Sequence, residues 1–164
     1  MRHLIIMRHG KAERGEGKAD FDRTIEPRGT RESFHVAEQM ATAGLSPDTI
    51  LCSAARRTRD TLAAVLPHVR GDCEIHLIER LYDADVADLR EAMRKASGQT
   101  VLLIGHNPSV HGLSLMFAGG DAGEVGDSFP TATAAAFSMG FAVDTVRFER
   151  LFVPDRGATS GLEG

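Results

Sequence analysis

Short apolar runs, separated by segments with helical periodicity, are the feature that most limits how this chain can fold. Strands are predicted at 3–8, 48–53, 74–78 and 100–105, and the first and last of these are almost entirely apolar. A strand that is apolar on both sides has to be covered on both faces, which is typical of parallel sheets. The sequence therefore predicts an α/β fold, a three-layer α/β/α sandwich around a mainly parallel mixed sheet.

The segments between these strands have apolar residues at the three- and four-residue spacing of an amphipathic helix. Helices are predicted at about 28–43, 55–66, 86–97 and 109–118. The residues expected on the core face of the first two are Phe34, Ala37, Met40 and Ala41, then Leu62, Val65 and Leu66. Two more strands, near 132–139 and 145–152, lie close enough to pair as an antiparallel hairpin at the edge of the sheet.

Length and composition restrict the class of protein. With 164 residues we expect one domain, residues 1–154, and a poorly ordered polar, glycine-rich tail at 155–164. The net charge of −4 argues against a nucleic-acid partner. Because the apolar runs are too short for a membrane span or a secretory signal, we expect a cytoplasmic protein without a membrane partner. Cys52 and Cys73 form no C-x-x-C pair, so a structural zinc site is not expected. A disulfide between them is not expected in a reducing cytosol.

Three of the predicted strands run into polar residues at their carboxyl ends. The first ends in Arg8-His9-Gly10, the second in Ser53 followed by arginines at 56, 57 and 59, and the fourth in Gly105-His106-Asn107-Pro108. Parallel strands have their carboxyl ends at one edge of the sheet, where ligands bind. The two histidines and several of the arginines are therefore expected to converge on one pocket. Taken singly, each segment also fits a turn or a solvated helix face.

Two arginines and two histidines in one pocket suit the chemistry of a phosphoryl group. Arginine offers a planar fork of donors to phosphoryl oxygens and stays charged, so Arg8 and Arg57 are candidate phosphate clamps. A neutral histidine can attack phosphorus and become transiently phosphorylated. A second histidine can stabilise the charged oxygens during the transfer.

These segments together resemble the histidine phosphatase superfamily, which is also called phosphoglycerate mutase-like. The resemblance rests on Arg8-His9-Gly10, "SAARRTRDT" and "LLIGHNP", in this order. It implies a phosphoglycerate mutase-like fold with His9 as the phosphorylated nucleophile, Arg8 and Arg57 as phosphate clamps, and His106 as the second pocket histidine. Asn107, beside His106, is a further expected phosphate contact. No metal ion and no cofactor is expected, and phosphate or sulfate should occupy the pocket.

Within the superfamily, the chain is most similar to the short phosphohistidine phosphatase branch named for SixA. "RHGKAE" followed by "DFDRTIEPRG" resembles the pattern of that branch, although Gly10 stands where alanine is commoner. The mutases have a serine and a W-N pair where this chain has Lys11-Ala12-Glu13, and the chain has no tryptophan. Only 21 residues separate Glu79 from Val101, which leaves room for one helix but no lid.

Glu79 is the candidate general acid, because "IERLY" resembles the N-E-R-x-Y segment of the mutases. Its carboxylate could instead pair with Arg80 or another arginine. An alkoxide leaving group needs an acid, whereas imidazole, with an ordinary pKa of about 6.5, departs more easily. Glu79 thus separates an esterase from a phosphohistidine phosphatase.

The leading hypothesis is a metal-independent phosphohistidine phosphatase that acts on a phosphorylated protein through phospho-His9. One alternative is a phosphomonoesterase of the same superfamily that acts on a small phosphoester. Another is a catalytically silent module that binds phosphate or a phosphoprotein.

Overall fold

The computed structural model describes residues 1–140 and 145–155 of the chain. It contains a six-stranded sheet with helices on both faces. The strands are β1 (Arg2–Arg8), β2 (Thr49–Ser53), β3 (Glu74–Ile78), β4 (Thr100–Gly105), β5 (Ala134–Met139) and β6 (Val146–Phe152). The helices are α1 (Pro27–Thr42), α2 (Arg56–Val65), α3 (Val86–Lys95), α4 (Ser109–Ala118) and the short α5 (Ala122–Val125). Single 3₁₀ turns lie at Asp20–Asp22, Leu66–His68, Glu79–Leu81 and Gly119–Asp121.

The strand order is β3-β2-β4-β1-β5-β6. The pairs β1–β4, β4–β2 and β2–β3 are parallel, and β1–β5 and β5–β6 are antiparallel. This confirms the predicted mixed sheet with an antiparallel hairpin at one edge. Because β2, β4 and β1 are neighbours and run in the same direction, their carboxyl ends lie side by side.

The core has two layers, one on each face of the sheet. Ile5 and Met7 of β1 join a cluster with α1 and α2, whereas Leu4 and Ile6 join a cluster with α3 and α4. Alternate side chains of a strand point to opposite faces, so one apolar run supplies both layers. The three-layer α/β/α sandwich predicted from the sequence is confirmed.

The prediction of a buried side chain is wrong for three residues of the first two helices. Phe34 is 37% exposed and Leu66 is 38% exposed, and Ala41 is only partly buried. Helix α1 instead buries a stripe that contains Ser33, Val36, Ala37 and Met40, so the Phe34 ring lies beside the stripe, with its centroid 4.3 Å from that of His68. Leu66 begins the 3₁₀ turn after α2, which rotates its side chain away from the core face of the helix.

Strand β3 forms the edge of the sheet and is exposed along most of its length. Ile75 is 41% exposed and Leu77 is 55% exposed, because β2 is the only strand that pairs with β3 among the described residues. This exposure departs from the expectation that the parallel strands are covered on both faces.

Residues 156–164, most of the tail expected to be poorly ordered, lie outside the described residues. Within the two described ranges, every helix is too short or too polar to cross a bilayer.

Candidate active site

The carboxyl ends of β1 and β4 bring His9 and His106 together. The two ring centroids are 5.3 Å apart, and both side chains are buried. The main chains are joined here as well, because the His9 N–H donates to the Gly105 carbonyl at 3.1 Å. The pairing of two adjacent parallel strands therefore sets the distance between the histidines.

The His9 ring is held in a single orientation. Its Nδ1 lies 2.7 Å from the Gly10 carbonyl oxygen, which can only accept, so Nδ1 carries the proton and Nε2 keeps its lone pair. Burial lowers the pKa of His9 to about 3, the Gly10 carbonyl opposes this, and the charges of Arg8 and Arg57 add to the lowering. His9 is thus neutral at neutral pH, the form that a nucleophile needs.

His106 is oriented by Ser53, which is not among the predicted site residues. Its Nε2 lies 2.8 Å from Ser53 Oγ, at the end of β2. With the hydroxyl as donor, the ring proton lies on Nδ1, a buried atom without a hydrogen-bond partner in the described part of the chain. Burial, followed by the charge of Arg57, lowers the pKa of His106 to about 4.

Of the three clustered arginines, only Arg57 is buried. It lies in the first turn of α2, and both of its terminal nitrogens donate to Asp20: Nη1 to the main-chain carbonyl at 2.8 Å and Nη2 to Oδ2 at 3.1 Å. Arg56 pairs with Asp60 at 2.8 Å on the outside, and Arg59 is also exposed. The alternative of a solvated helix face therefore holds for Arg56 and Arg59.

Arg8 and Asn107 meet at one carbonyl on the other side of the pocket. Arg8 Nη1 donates to the Phe129 carbonyl at 3.2 Å, and Asn107 Nδ2 donates to the same oxygen at 2.9 Å. The loop before β5 thus fixes both side chains next to the histidines. The structure brings five of the six predicted site residues into one connected group, and their proposed roles remain predictions.

Tyr82 and Asp20 complete the group, and neither is among the predicted site residues. The Tyr82 hydroxyl donates to Asp20 Oδ2, and the Tyr82 ring packs edge-on to His106, with centroids 5.5 Å apart. Hydrogen bonds from Tyr82 and Arg23 hold the pKa of Asp20 well below its usual range, so this carboxylate stays ionised. The signal was present, since Asp20 opens the "DFDR" segment and Tyr82 closes "IERLY".

Glu79 is the sixth predicted site residue, and no side-chain hydrogen bond or ion pair joins it to this group within residues 1–140 and 145–155. It begins the 3₁₀ turn that leads to Tyr82, and its side chain is exposed. The carboxylate forms no hydrogen bond or ion pair with the described residues, including Arg80. Whether Glu79 acts as an acid thus stays a prediction.

Gly10 and Gly29 form the closest backbone approach beneath the site. A Cβ on Gly10 would lie 2.7 Å from the Gly29 carbonyl oxygen, and one on Gly29 would lie 2.5 Å from the Lys11 carbonyl oxygen. The Gly10 N–H also donates to Thr61 Oγ1 of α2 at 2.9 Å. The residue that follows the candidate nucleophile is therefore held between α1 and α2.

The site contains cations and neutral rings rather than a ligand set for a metal. Within residues 1–140 and 145–155, no three or more His, Cys, Asp or Glu side chains are grouped closely enough to hold a metal ion. Two arginines and two buried neutral histidines suit a tetrahedral anion, and the ionised Asp20 carboxylate pairs with one of these arginines, Arg57.

Comparison with known proteins identifies the family. Residues 4–101 match the family model of the histidine phosphatase superfamily, branch 1, and the chain belongs to this superfamily. An uncharacterised protein of Mycobacterium tuberculosis is 34% identical over 141 residues, which cover 81% of this chain and 87% of that protein.

Solved structures place the chain in the SixA-like branch. A candidate phosphohistidine phosphatase SixA from Agrobacterium tumefaciens superposes with a TM-score of 0.83 at 27% identity, covering 93% of this chain and 98% of that one. The protein histidine phosphatase SixA in complex with tungstate shares the fold, with a TM-score of 0.77 at 23% identity over 94% of this chain and 98% of that one. Family and fold together indicate phosphatase activity.

Proposed function

We propose that this protein is a metal-independent phosphohistidine phosphatase that removes the phosphoryl group from a histidine of another protein. The observation that carries the proposal is His9, which is neutral, buried and fixed by the Gly10 carbonyl so that Nε2 is the nitrogen available for attack. Arg8 and Arg57 lie close enough to lower its pKa. The expected setting is the cytoplasm.

The reaction has two displacements at phosphorus. His9 Nε2 first attacks phosphorus, and the bond from phosphorus to the substrate nitrogen breaks with its electron pair on that nitrogen. The substrate ring leaves as neutral imidazole when its other nitrogen is already protonated. Water then attacks phospho-His9, the new P–N bond breaks, and orthophosphate and neutral His9 are regenerated. Arg8, Arg57 and the Nδ1–H of His106 would stabilise the oxygens in both steps.

The electrostatics of the site support a nitrogen leaving group. An ester needs a proton donor for the departing oxygen, but the carboxylate within the hydrogen-bonded group, Asp20, stays ionised. A phosphohistidine ring can bring its own proton.

The connection between β3 and β4 is short. Only one 3₁₀ turn and α3 lie between these strands, so no insertion there covers the site. A site without a lid from this segment suits a side chain on a large substrate.

A phosphomonoesterase acting on a small phosphoester is the second candidate. The observation that favours it is the Glu79 carboxyl group, which has no partner among the described residues and lies one 3₁₀ turn from Tyr82. If Glu79 reaches the leaving group, it could protonate an ester oxygen.

Trapping the covalent intermediate tests the proposal. A phosphohistidine protein labelled with ³²P should transfer acid-labile, base-stable phosphate to the wild type, but not to His9→Asn. The exposed His35→Asn on α1 is the matched control and should label like the wild type.

A substrate panel then compares phosphohistidine with alkyl and aryl phosphates. The mechanism is contradicted if the wild type hydrolyses phosphohistidine without becoming labelled, or if His9→Asn becomes labelled to the same extent as the wild type. A protein that binds phosphoproteins but never turns them over is a silent module.

A further inference from the structure

Asp20 covers the guanidinium that the phosphatase reaction needs. Nη1 and Nη2 of Arg57 both donate to this one residue, at 2.8 Å and 3.1 Å. The Arg57 side chain is 9% exposed, whereas that of Asp20 is 52% exposed. A half-exposed carboxylate therefore covers a buried cation.

A carboxylate and a phosphoryl group use the same face of an arginine. The planar fork of the guanidinium matches two oxygens of either group. The two anions also repel each other when they approach the same cation, and this repulsion is stronger in a partly buried pocket than in water. A phosphoryl group on Arg57 therefore competes with Asp20.

Asp20 has a position to which it can withdraw. Its Oδ1 accepts from Arg23 Nη1 at 2.9 Å, and this bond does not involve Arg57. Asp20 lies in the 3₁₀ turn Asp20–Asp22, in which no residue is buried. A small shift of this turn leaves the carboxylate paired with Arg23, while the bonds from Arg57 Nη1 to the Asp20 carbonyl and from the Tyr82 hydroxyl to Oδ2 are given up.

We propose that Asp20 is an internal competitor for the phosphate subsite, which covers Arg57 and releases it when a phosphoryl group binds. The proposal rests on the phosphate-binding part of the function proposed above. Its consequence is a weaker affinity for free orthophosphate, because the binding-competent arrangement is only a fraction of the ensemble. Product release is then fast, and a substrate gains its affinity from contacts beyond the phosphoryl group.

The test is the affinity of orthophosphate for Asp20→Asn, measured by isothermal titration calorimetry at low ionic strength. Asparagine keeps the size of the side chain and removes its charge, so we expect a Kd roughly tenfold lower than that of the wild type. Asp20→Ala should show a similar decrease, which guards against a folding defect specific to one variant. Asp22→Asn is the matched control, because it makes the same charge change in the same turn and its side chain forms no hydrogen bond or ion pair with the described residues.

Three results would overturn the competitor role of Asp20 or the phosphate site itself. An unchanged or weaker affinity in both Asp20 variants would show that Asp20 positions Arg57 for phosphate, and it would overturn the competitor role. An equal gain in orthophosphate affinity in Asp22→Asn would assign the effect to net charge, and this too would overturn the competitor role of Asp20. Failure of every protein, wild type included, to bind orthophosphate would overturn the phosphate site and with it the proposed function.

Discussion

Glu79, the candidate general acid, is the residue that should separate an ester substrate from a phosphohistidine substrate. We expect Glu79→Gln to slow hydrolysis of an alkyl phosphate by roughly 100-fold or more, the usual contribution of a general acid, and that of phosphohistidine by less than about threefold. Steady-state kcat/KM values for the two substrates provide the measurement. Glu38→Gln, an exposed change on α1, is the control. Equal losses on both substrates would contradict this division of roles.

At the residue scale, the sequence located the reacting groups better than their supports. His9 and His106 follow apolar strands, and such strand ends in a parallel sheet are predictable. Ser53 was in the motif, but its bond to His106 depends on β2 and β4 being adjacent, which requires the strand order. Asp20 lies on an irregular segment without periodicity, so only the folded chain shows that it covers Arg57.

At the scale of elements, the start of α1 and the turn after β1 form one unit. In an open helix, Gly29→Ala would raise stability, because alanine is the better helix former. Here the new Cβ would lie 2.5 Å from the Lys11 carbonyl oxygen and 2.8 Å from its nitrogen, and backbone atoms cannot move aside easily. We therefore expect Gly29→Ala to lower the free energy of unfolding by about 1–3 kcal/mol and to reduce kcat, since Gly10 and His9 must shift.

Urea denaturation and steady-state kinetics measure the two effects of this change. Gly123→Ala in α5 is the matched control, because the added methyl group meets no atom within 4 Å and should be neutral or slightly stabilising. Equal stability of both variants would mean that α1 moves freely relative to the site.

The type and order of the elements were largely predictable from the sequence, whereas the burial of side chains at the border of the core was not. β3, β4 and α4 have the predicted bounds, because turn-forming residues flank clear apolar or periodic runs. The 3₁₀ turns and α5 have too few residues to show a period. Phe34 shows a further limit: its spacing to Ala37 fits a core face, but the stripe that α1 buries runs through Ser33, Val36, Ala37 and Met40, so Ser33 takes the place expected for Phe34.

At the scale of the whole molecule, the buried histidines make stability depend on pH. In the unfolded chain each ring binds a proton near pH 6.5, whereas the fold lowers the pKa values to about 3 for His9 and about 4 for His106. Falling pH therefore favours the unfolded chain. This contribution to stability is fully present above pH 6.5 and is lost as the pH falls towards the folded-state values.

The free energy of unfolding should decrease by roughly 1 kcal/mol per pH unit for each ring between about pH 6 and 4.5. His9→Asn should make this pH dependence shallower by about that amount, and the exposed His35→Asn should leave it unchanged. Denaturant unfolding at several pH values measures the slopes. A His9→Asn slope equal to that of the wild type would show that His9 is protonated as readily in the fold as in the unfolded chain.

The edge strand β3, which pairs only with β2 among the described residues, has a consequence for the behaviour of concentrated solutions. An edge strand with unpaired backbone groups can extend its sheet with a strand from another molecule, and Ile75 and Leu77 leave apolar surface beside it. Sulfate and phosphate salts strengthen apolar association. Phosphate and sulfate, the anions that should fill the active site, are therefore expected to promote edge-to-edge aggregation at high concentration. Titrations with these anions should use low salt concentrations.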